Sequence, residues 1–454
     1  MAEEGVLRFV VIGGGPAGTA AASAAAAEGA RVTIIESDVL GGAAHLWDCI
    51  PSKAMVATSL RLANIRASGR LGLSHGGEVA IDMERLAEWR GSVTSRLVAG
   101  LGALLRSQGV ELIEGRGRLA GPGVAVADTP GGPREFCFDR ALVATGSAPR
   151  VPDWARVDGE RVLTTRHAYR LAVLPEHIVI VGSGVTGVEF THIFSSLGSR
   201  VTLLVSRQQV LPHRDAEVAA VLEEDFLERG VALLKGARAV AAAADGGGAV
   251  VRTEDGRAVT GSHVLLAVGL APNTSGLGLE AAGVEMRSGF VPVDEYQRTS
   301  VPHIYAAGDI TGQLPLSSVA TAQGRVVARH ALGRPVVPVD LRKAAQAIFT
   351  EPEIASVGLE EVDAAAEGRK VRITKVPLAA NPRSQLQATP RGFVKVISDP
   401  ATRVVLGGTV VGHHASEMIG ILALAVQEGL RTDALARTLM VHPSLAESLA
   451  DAAD

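Results

Sequence analysis

Two glycine-rich strand–turn–helix patterns about 170 residues apart, and a change of pattern over roughly the last 110 residues, predict an α/β protein. The expected architecture is two Rossmann-like dinucleotide-binding domains followed by a C-terminal α+β domain. At 454 residues the chain has room for about two to four domains, each large enough to bury its own core.

The first pattern opens with the apolar run Phe9–Ile12, which ends in Gly13-Gly14-Gly15-Pro16-Ala17-Gly18. An Ala-rich helical stretch follows to Glu28-Gly29, and a second strand, Val32–Ile35, stops at Glu36. Ser92–Gly109 has helical spacing, and Val110–Val126 and Glu135–Ala144 read as short strands returning to the first domain. Pro149 to Pro175 carries turns and a short helix into the second domain. There Ile178–Val181 meets Gly182-Ser183-Gly184-Val185-Thr186-Gly187, with a helix to Leu197-Gly198 and a strand at Val201–Val205. Val264–Val268 is a further strand ending at Gly269, and Ile304–Ala307 leads into Gly308-Asp309 as the chain returns to the first domain. Beyond it, strands near Ala347–Thr350, Phe393–Ile397 and Val404–Gly412 mix with helices at Ala415–Glu428 and Asp433–Leu439, with no glycine-rich turn among them. The expected divisions are 1–150, 151–272, a return segment 273–340, and 341–454.

The 44 basic against 48 acidic side chains give a net charge of −4, which excludes nucleic-acid binding driven by bulk charge. Only six of the basic residues are Lys; this Arg bias, with abundant Ala and Gly, reads as genome composition rather than phosphate binding. Aromatic residues make up 3% of the chain, so Ala, Val, Leu and Ile must build the cores. Two cysteines, Cys49 and Cys137, form no disulfide framework and point to a reducing compartment, the cytoplasm by default. Cys137, in Phe136-Cys137-Phe138, is expected as a buried small hydrophobe in a strand. A cleavable signal would cut into the first strand, and no apolar run approaches the ~20 residues of a spanning helix. No metal-ligating set is expected.

The glycines carry the first chemical signal. A Gly-x-Gly-x-x-Gly turn bends tightly, brings backbone N–H groups to a pyrophosphate and lets the helix pack closely on the strand. Gly13, Gly15 and Gly18 sit in that context, and Glu36 ends the next strand, where an acid can accept from ribose hydroxyls. In the second copy Gly182, Gly184 and Gly187 repeat the turn, but Val205 replaces the acid and is followed by Ser206 and Arg207. Arg207 offers a guanidinium to a 2′-phosphate, which leans towards NADPH or dual use; a solvated surface Arg is the bland alternative. Two dinucleotide folds in one chain suggest hydride transfer between nicotinamide and flavin.

Gly41-Gly42-Ala43-Ala44-His45-Leu46-Trp47-Asp48-Cys49-Ile50-Pro51-Ser52-Lys53 resembles the redox-active stretch of the pyridine nucleotide-disulfide oxidoreductases, the family of lipoamide dehydrogenase, glutathione reductase and mercuric reductase. Further similar segments run almost end to end: Ala144-Thr145-Gly146-Ser147, Gly187-x-Glu189, Val268-Gly269 with Pro272-Asn273-Thr274, Ala307-Gly308-Asp309 and His442-Pro443-Ser444-Leu445-Ala446-Glu447. The family's redox motif has two cysteines separated by four residues; here the first is Ala44 and the second survives as Cys49. Without that dithiol pair, electrons cannot pass to a disulfide by thiol exchange.

The resemblance implies FAD and NADPH or NADH as cofactors. It places the FAD pyrophosphate on Gly13, Gly15 and Gly18 and the adenosine ribose on Glu36. Gly42, Gly117, Thr145, Gly146 and Ser147 would lie beside the nucleotide, Asp309 on its ribityl or pyrophosphate part, and Pro315, Leu316, Ser317 and Ser318 along the flavin. Gly182, Gly184, Gly187, Gly269, Ser206 and Arg207 would serve NAD(P)H. Lys53 paired with Glu189 would lie near flavin N5, although a buried ion pair also has a purely structural reading. Cys49 would lie on the flavin face opposite the nicotinamide, as a survivor of the lost disulfide, a charge-transfer donor or an oxidisable thiol. His442 and Glu447 match the family's acid–base dyad, which reaches the other subunit's flavin and so implies a homodimer through the C-terminal domain.

The expected activity is that of an FAD-dependent NAD(P)H:acceptor oxidoreductase, similar to the disulfide-lacking, lipoamide-dehydrogenase-like quinone reductases, with a quinone or dye as small-molecule acceptor. The alternatives are a soluble pyridine nucleotide transhydrogenase, a lipoamide dehydrogenase with altered chemistry, and a catalytically weak flavoprotein sensor or partner.

Overall fold

The computed structural model describes residues 5–74, 77 and 79–454, which fall into two compact units. Unit one comprises Met1–Ser52, Ala87–Arg150 and Leu270–Leu341; unit two comprises Lys53–Leu86, Val151–Gly269 and Arg342–Asp454.

Unit one is built on a five-stranded parallel sheet in the order Ile304–Ala306, Arg140–Val143, Arg8–Ile12, Arg31–Glu36 and Glu111–Glu114. Because side chains alternate across a strand, Phe9 and Val11 join one core while Val10 and Ile12 join the other. On the first face lies the Ala-rich helix Pro16–Ala27, started by Pro at its first turn and packed on the helix Ser317–Ala331. A Cβ at Gly324 would stand 2.2 Å from the Ala17 carbonyl oxygen, so small residues are what let these helices touch. On the second face a separate antiparallel sheet of Arg116–Gly121, Val124–Thr129 and Gly132–Cys137 contributes Leu119, Ala125 and Ala127 to the core.

The stretch expected to return to the first domain lies in unit one, where Glu111–Glu114 and Arg140–Val143 join the parallel sheet and the strands between them form this separate one. The structure corrects the placement of Cys137, which is exposed. Phe136 and Phe138 face the core, and the alternation turns Cys137 outward from an edge strand.

Unit two repeats the parallel design with the order Ala232–Lys235, Arg200–Val205, His177–Val181, His263–Leu266 and Val162–Thr164. Val179, Val181, Leu204, Val264 and Leu266 share a core with a three-stranded antiparallel sheet, Ala239–Asp245, Gly248–Thr253 and Ala258–Gly261. The C-terminal part is an antiparallel sheet ordered Gln346–Ile348, Glu353–Gly358, Val405–Gly412, Phe393–Ser398 and Arg372–Pro377. The helices Ala415–Glu428, Thr432–Ala436 and Glu447–Ala453 contribute to its core.

Charged side chains join the two parts of unit two. Lys395, 1% exposed, donates to Asp215, to Glu217 at 2.6 Å and to Glu361 at 3.2 Å. Arg214 donates to Glu360, to Ser356 at 2.7 Å and to Gln346 at 2.9 Å. Asp215, Glu217 and Glu361 are the one trio of acidic or metal-ligating residues close enough to share an ion among the described residues, and the Lys395 ammonium already supplies their positive charge. Among the described residues no helix is long and apolar enough to cross a membrane.

Candidate functional site

In each parallel sheet the strand order reverses beside the central strand that carries the glycine turn, which is where open α/β sheets bind ligands at their carboxyl ends. The two turns are built alike. Gly13 has φ +105°, and a Cβ there would lie 2.4 Å from the Ala144 carbonyl oxygen; Gly182 has φ +110°, and its Cβ would lie 2.3 Å from that of Ala267. The third glycine closes each turn on its helix: a Cβ at Gly18 would stand 1.9 Å from the Gly13 oxygen, and one at Gly187 1.8 Å from the Gly182 oxygen.

Unit one gathers the predicted residues around its turn. Glu36 Oε2 accepts from the Gly14 N–H at 2.5 Å and Oε1 from Asp38 at 2.8 Å. Burial pushes this carboxyl above its ordinary value, against those N–H groups. Gly42 backs onto Gly15, whose Cα would be 2.9 Å from an added Cβ. Gly117 passes over Ile12 and Ile35, where an added Cβ would be 2.8 Å from the Ile12 side chain. Thr145, Gly146 and Ser147 follow the strand Arg140–Val143, and Asp309 follows Ile304–Ala306, so both segments leave carboxyl ends of the sheet. The Ser147 hydroxyl donates to Asp309 Oδ2 at 2.6 Å. Asn273, within the Pro272-Asn273-Thr274 segment, and Gln323, which the sequence did not single out, brace this rim: Thr145 and Asn273 exchange hydrogen bonds at 2.8 and 2.9 Å, and the buried Gln323 accepts from Gly308 N at 2.8 Å.

The segment before Cys49 winds as a π-helix over Ala44–Asp48, a form found often at functional sites. His45 turns back onto the main chain, with Nδ1 3.2 Å from the Leu40 oxygen and directly over Gly41. Cys49 Sγ lies 3.2 Å from the hydroxyl of Ser317, the first residue of the helix Ser317–Ala331. Both cysteines are free. Pro315 and Leu316 precede that helix and Ser318 lies in its first turn.

In unit two, Lys53 Nζ meets both Glu189 oxygens, at 3.1 and 2.9 Å. Glu189 is buried on the helix Val185–Leu197 and also accepts from the Phe349 N–H at 3.0 Å. Ser206 and Arg207 are exposed beyond the strand Arg200–Val205, and Gly269 has φ +102°. His442 Nδ1 stands 2.8 Å from Glu447 Oε1, while Ser444 N donates to Oε2 at 2.8 Å. The Ser444 N–H and then His442 hold the Glu447 carboxyl below its ordinary value. His442 itself is 71% exposed.

Two glycine turns at two sheet switch points, one with a half-buried acid beside it, define a chain built to hold two dinucleotides, the class in which nicotinamide and flavin exchange a hydride. Residues 7–324 match the pyridine nucleotide-disulphide oxidoreductase family and residues 344–453 match that family's dimerisation domain. The chain belongs to the pyridine nucleotide-disulphide oxidoreductases, flavin enzymes that use FAD and NAD(P)H.

Among its relatives, an NAD(P)H dehydrogenase (quinone) of Mycobacterium tuberculosis is 44% identical, with 99% of this chain and 93% of that one covered. Dihydrolipoyl dehydrogenase 2 of Haloarcula marismortui is 34% identical, covering 98% and 95%. The crystal structure of LpdA from Mycobacterium tuberculosis superimposes with a TM-score of 0.94 at 44% identity, covering 99% of each chain. The HOCl-induced flavoprotein disulfide reductase RclA of Escherichia coli follows with a TM-score of 0.88 at 26% identity, covering 98% of this chain and 99% of that one.

Proposed function

We propose that the chain passes reducing equivalents from NAD(P)H through its flavin directly to a quinone-type acceptor, without an active-site disulfide. The observation that carries this reading is the pair of positions 44 and 49: Ala44 stands where the family's first redox cysteine belongs, and the neighbour of the Cys49 sulfur is the hydroxyl of Ser317. The acceptor class is supported by the relative named as a quinone dehydrogenase.

The first turn fits a flavin dinucleotide, since Gly13 and Gly18 have no room for a Cβ and Glu36 lies next to the turn with its half-buried carboxyl on the Gly14 N–H. When bound, FAD accepts a hydride and returns two electrons to an acceptor. Gly13, Gly15 and Gly18 seat its pyrophosphate and Glu36 its ribose. Gly42, Gly117, Thr145, Gly146, Ser147, Asp309 and the run Pro315–Ser318 border the rest. Gly182, Gly184, Gly187 and Gly269 seat the nicotinamide dinucleotide, with Ser206 and Arg207 free to meet a 2′-phosphate. Lys53, held by Glu189, keeps a positive charge beside the flavin. Cys49, without a partner sulfur, serves as a neighbour of the flavin and not as an exchange thiol. His442, oriented by Glu447, supplies the proton that a reduced acceptor oxygen requires, within a homodimer formed through the C-terminal domain.

Anaerobic rapid mixing tests this reading. The protein is reduced by NADPH or NADH and then mixed with menadione or, separately, with lipoamide. Fast flavin reoxidation by menadione alone is expected. Turnover with lipoamide, or no reoxidation by either, overturns direct transfer.

A further inference from the structure

We infer that Phe349 is a positioning residue for Lys53, holding the ammonium from the side that Glu189 does not reach. The inference rests on the proposed place of Lys53 beside the flavin. Two observations meet at this one residue. Its ring lies under the lysine, with Nζ 4.7 Å from the ring centroid. Its backbone N–H donates to Glu189 Oε1, the oxygen that also accepts from Lys53 at 3.1 Å.

The chemistry of the ammonium explains why two holders are needed. It carries three N–H groups on a flexible stem, and the contacts at 3.1 and 2.9 Å to Glu189 leave it free to swing about that carboxylate. An aromatic face attracts a cation through its quadrupole and defines a second direction. The backbone N–H of Phe349 meanwhile fixes the carboxylate, so one residue constrains both members of the pair. Phe349 is itself restrained. It follows the strand Gln346–Ile348, and the next residue, Thr350, is buried with its hydroxyl donating to the Pro352 oxygen at 2.6 Å. With so few aromatic residues in the chain, a ring at this place has a consequence that an aliphatic side chain does not: it acts on charge as well as on volume.

The test compares Phe349→Leu, which keeps the backbone N–H and most of the volume, with Phe349→Tyr, which keeps the aromatic face. Each is made in the wild-type protein and in Lys53→Met, and FAD-loaded protein is read in two ways: the limiting rate of flavin reduction by NAD(P)H and the flavin midpoint potential. Phe349→Leu is expected to slow reduction by about five- to tenfold and to make the potential more negative, with Phe349→Tyr within about twofold of wild type. In Lys53→Met, Phe349→Leu is expected to change neither reading. Wild-type behaviour of Phe349→Leu overturns the inference, and so does an equal loss in the Lys53→Met background, because Phe349 then acts other than through the lysine. Normal flavin reduction in Lys53→Met alone overturns the assignment of Lys53 to the flavin and takes the inference with it.

Discussion

Replacing Lys53 by Met is expected to destabilise the protein more than replacing Glu189 by Gln, because the two partners are unequally buried. The Glu189 side chain keeps 9% of its exposure and that of Lys53 keeps 32%. Removing one partner of a buried ion pair costs about 3–5 kcal/mol, chiefly because the other charge is left uncompensated. After Lys53→Met, Glu189 still accepts from the Phe349 N–H at 3.0 Å, so the loss falls near the lower end of that range, about 3 kcal/mol. After Glu189→Gln, the ammonium is left with an exposure near one third and turns to water, which reduces the cost to about 1 kcal/mol. The combined Lys53→Met, Glu189→Leu variant, which removes both charges, should recover most of the loss. Urea unfolding followed by circular dichroism, with FAD in excess throughout, measures the three differences. A Glu189→Gln loss equal to or greater than that of Lys53→Met would refute the reasoning from unequal burial.

Three further outcomes are expected. Gly187→Ala, whose Cβ would stand 1.8 Å from the Gly182 oxygen, should weaken NAD(P)H binding at least about tenfold in a titration while FAD content stays normal. Lys395→Met, which strands the buried Asp215 carboxylate, should cost about 3–5 kcal/mol in urea unfolding, and adding Asp215→Asn should recover part of it. His192 is fully buried and its ring is pushed down to about 3 by burial and then by the Arg229 guanidinium. The unfolded chain therefore binds a proton below its ordinary value of about 6.5 that the folded chain does not, so stability falls with pH from there towards 3. Between pH 6.5 and 5 this group accounts for about 2 kcal/mol, and His192→Asn should flatten that slope in pH-dependent unfolding.

The parts of the site legible in the sequence are those whose conformation is written locally. Gly13 and Gly182 adopt positive φ at the point where a strand turns into a helix, and only glycine serves there, so the residue type marks the geometry. Glu36 and Val205 close their strands at matching places, which makes the difference between the two turns readable as well. The helix Ala415–Glu428 has the same bounds in the structure as in the sequence reading. What escaped depends on neighbours distant in sequence. Phe349 gains its meaning from Lys53 and Glu189, and Lys395 is a core residue only because three carboxylates surround it. The antiparallel strands Arg116–Gly121 and Val124–Thr129 carry the same short apolar patterns as parallel ones, and their partners decide the sheet. The exposure of Cys137 has a related cause: a sulfur between two phenylalanines reads as core until the pleat assigns the faces.

The strand Ile304–Ala306 completes the edge of a sheet whose central strand ends at Ile12. On the ribosome its neighbour Arg140–Val143 therefore waits for about 160 further residues, roughly 8–32 s at ~5–20 residues per second. During that interval Arg140–Val143 has an open edge, and Asp309 has not yet been made. A nascent chain stalled before Ile304 therefore leaves the Arg140–Val143 strand unpaired along one side, an open edge of the kind that recruits other chains.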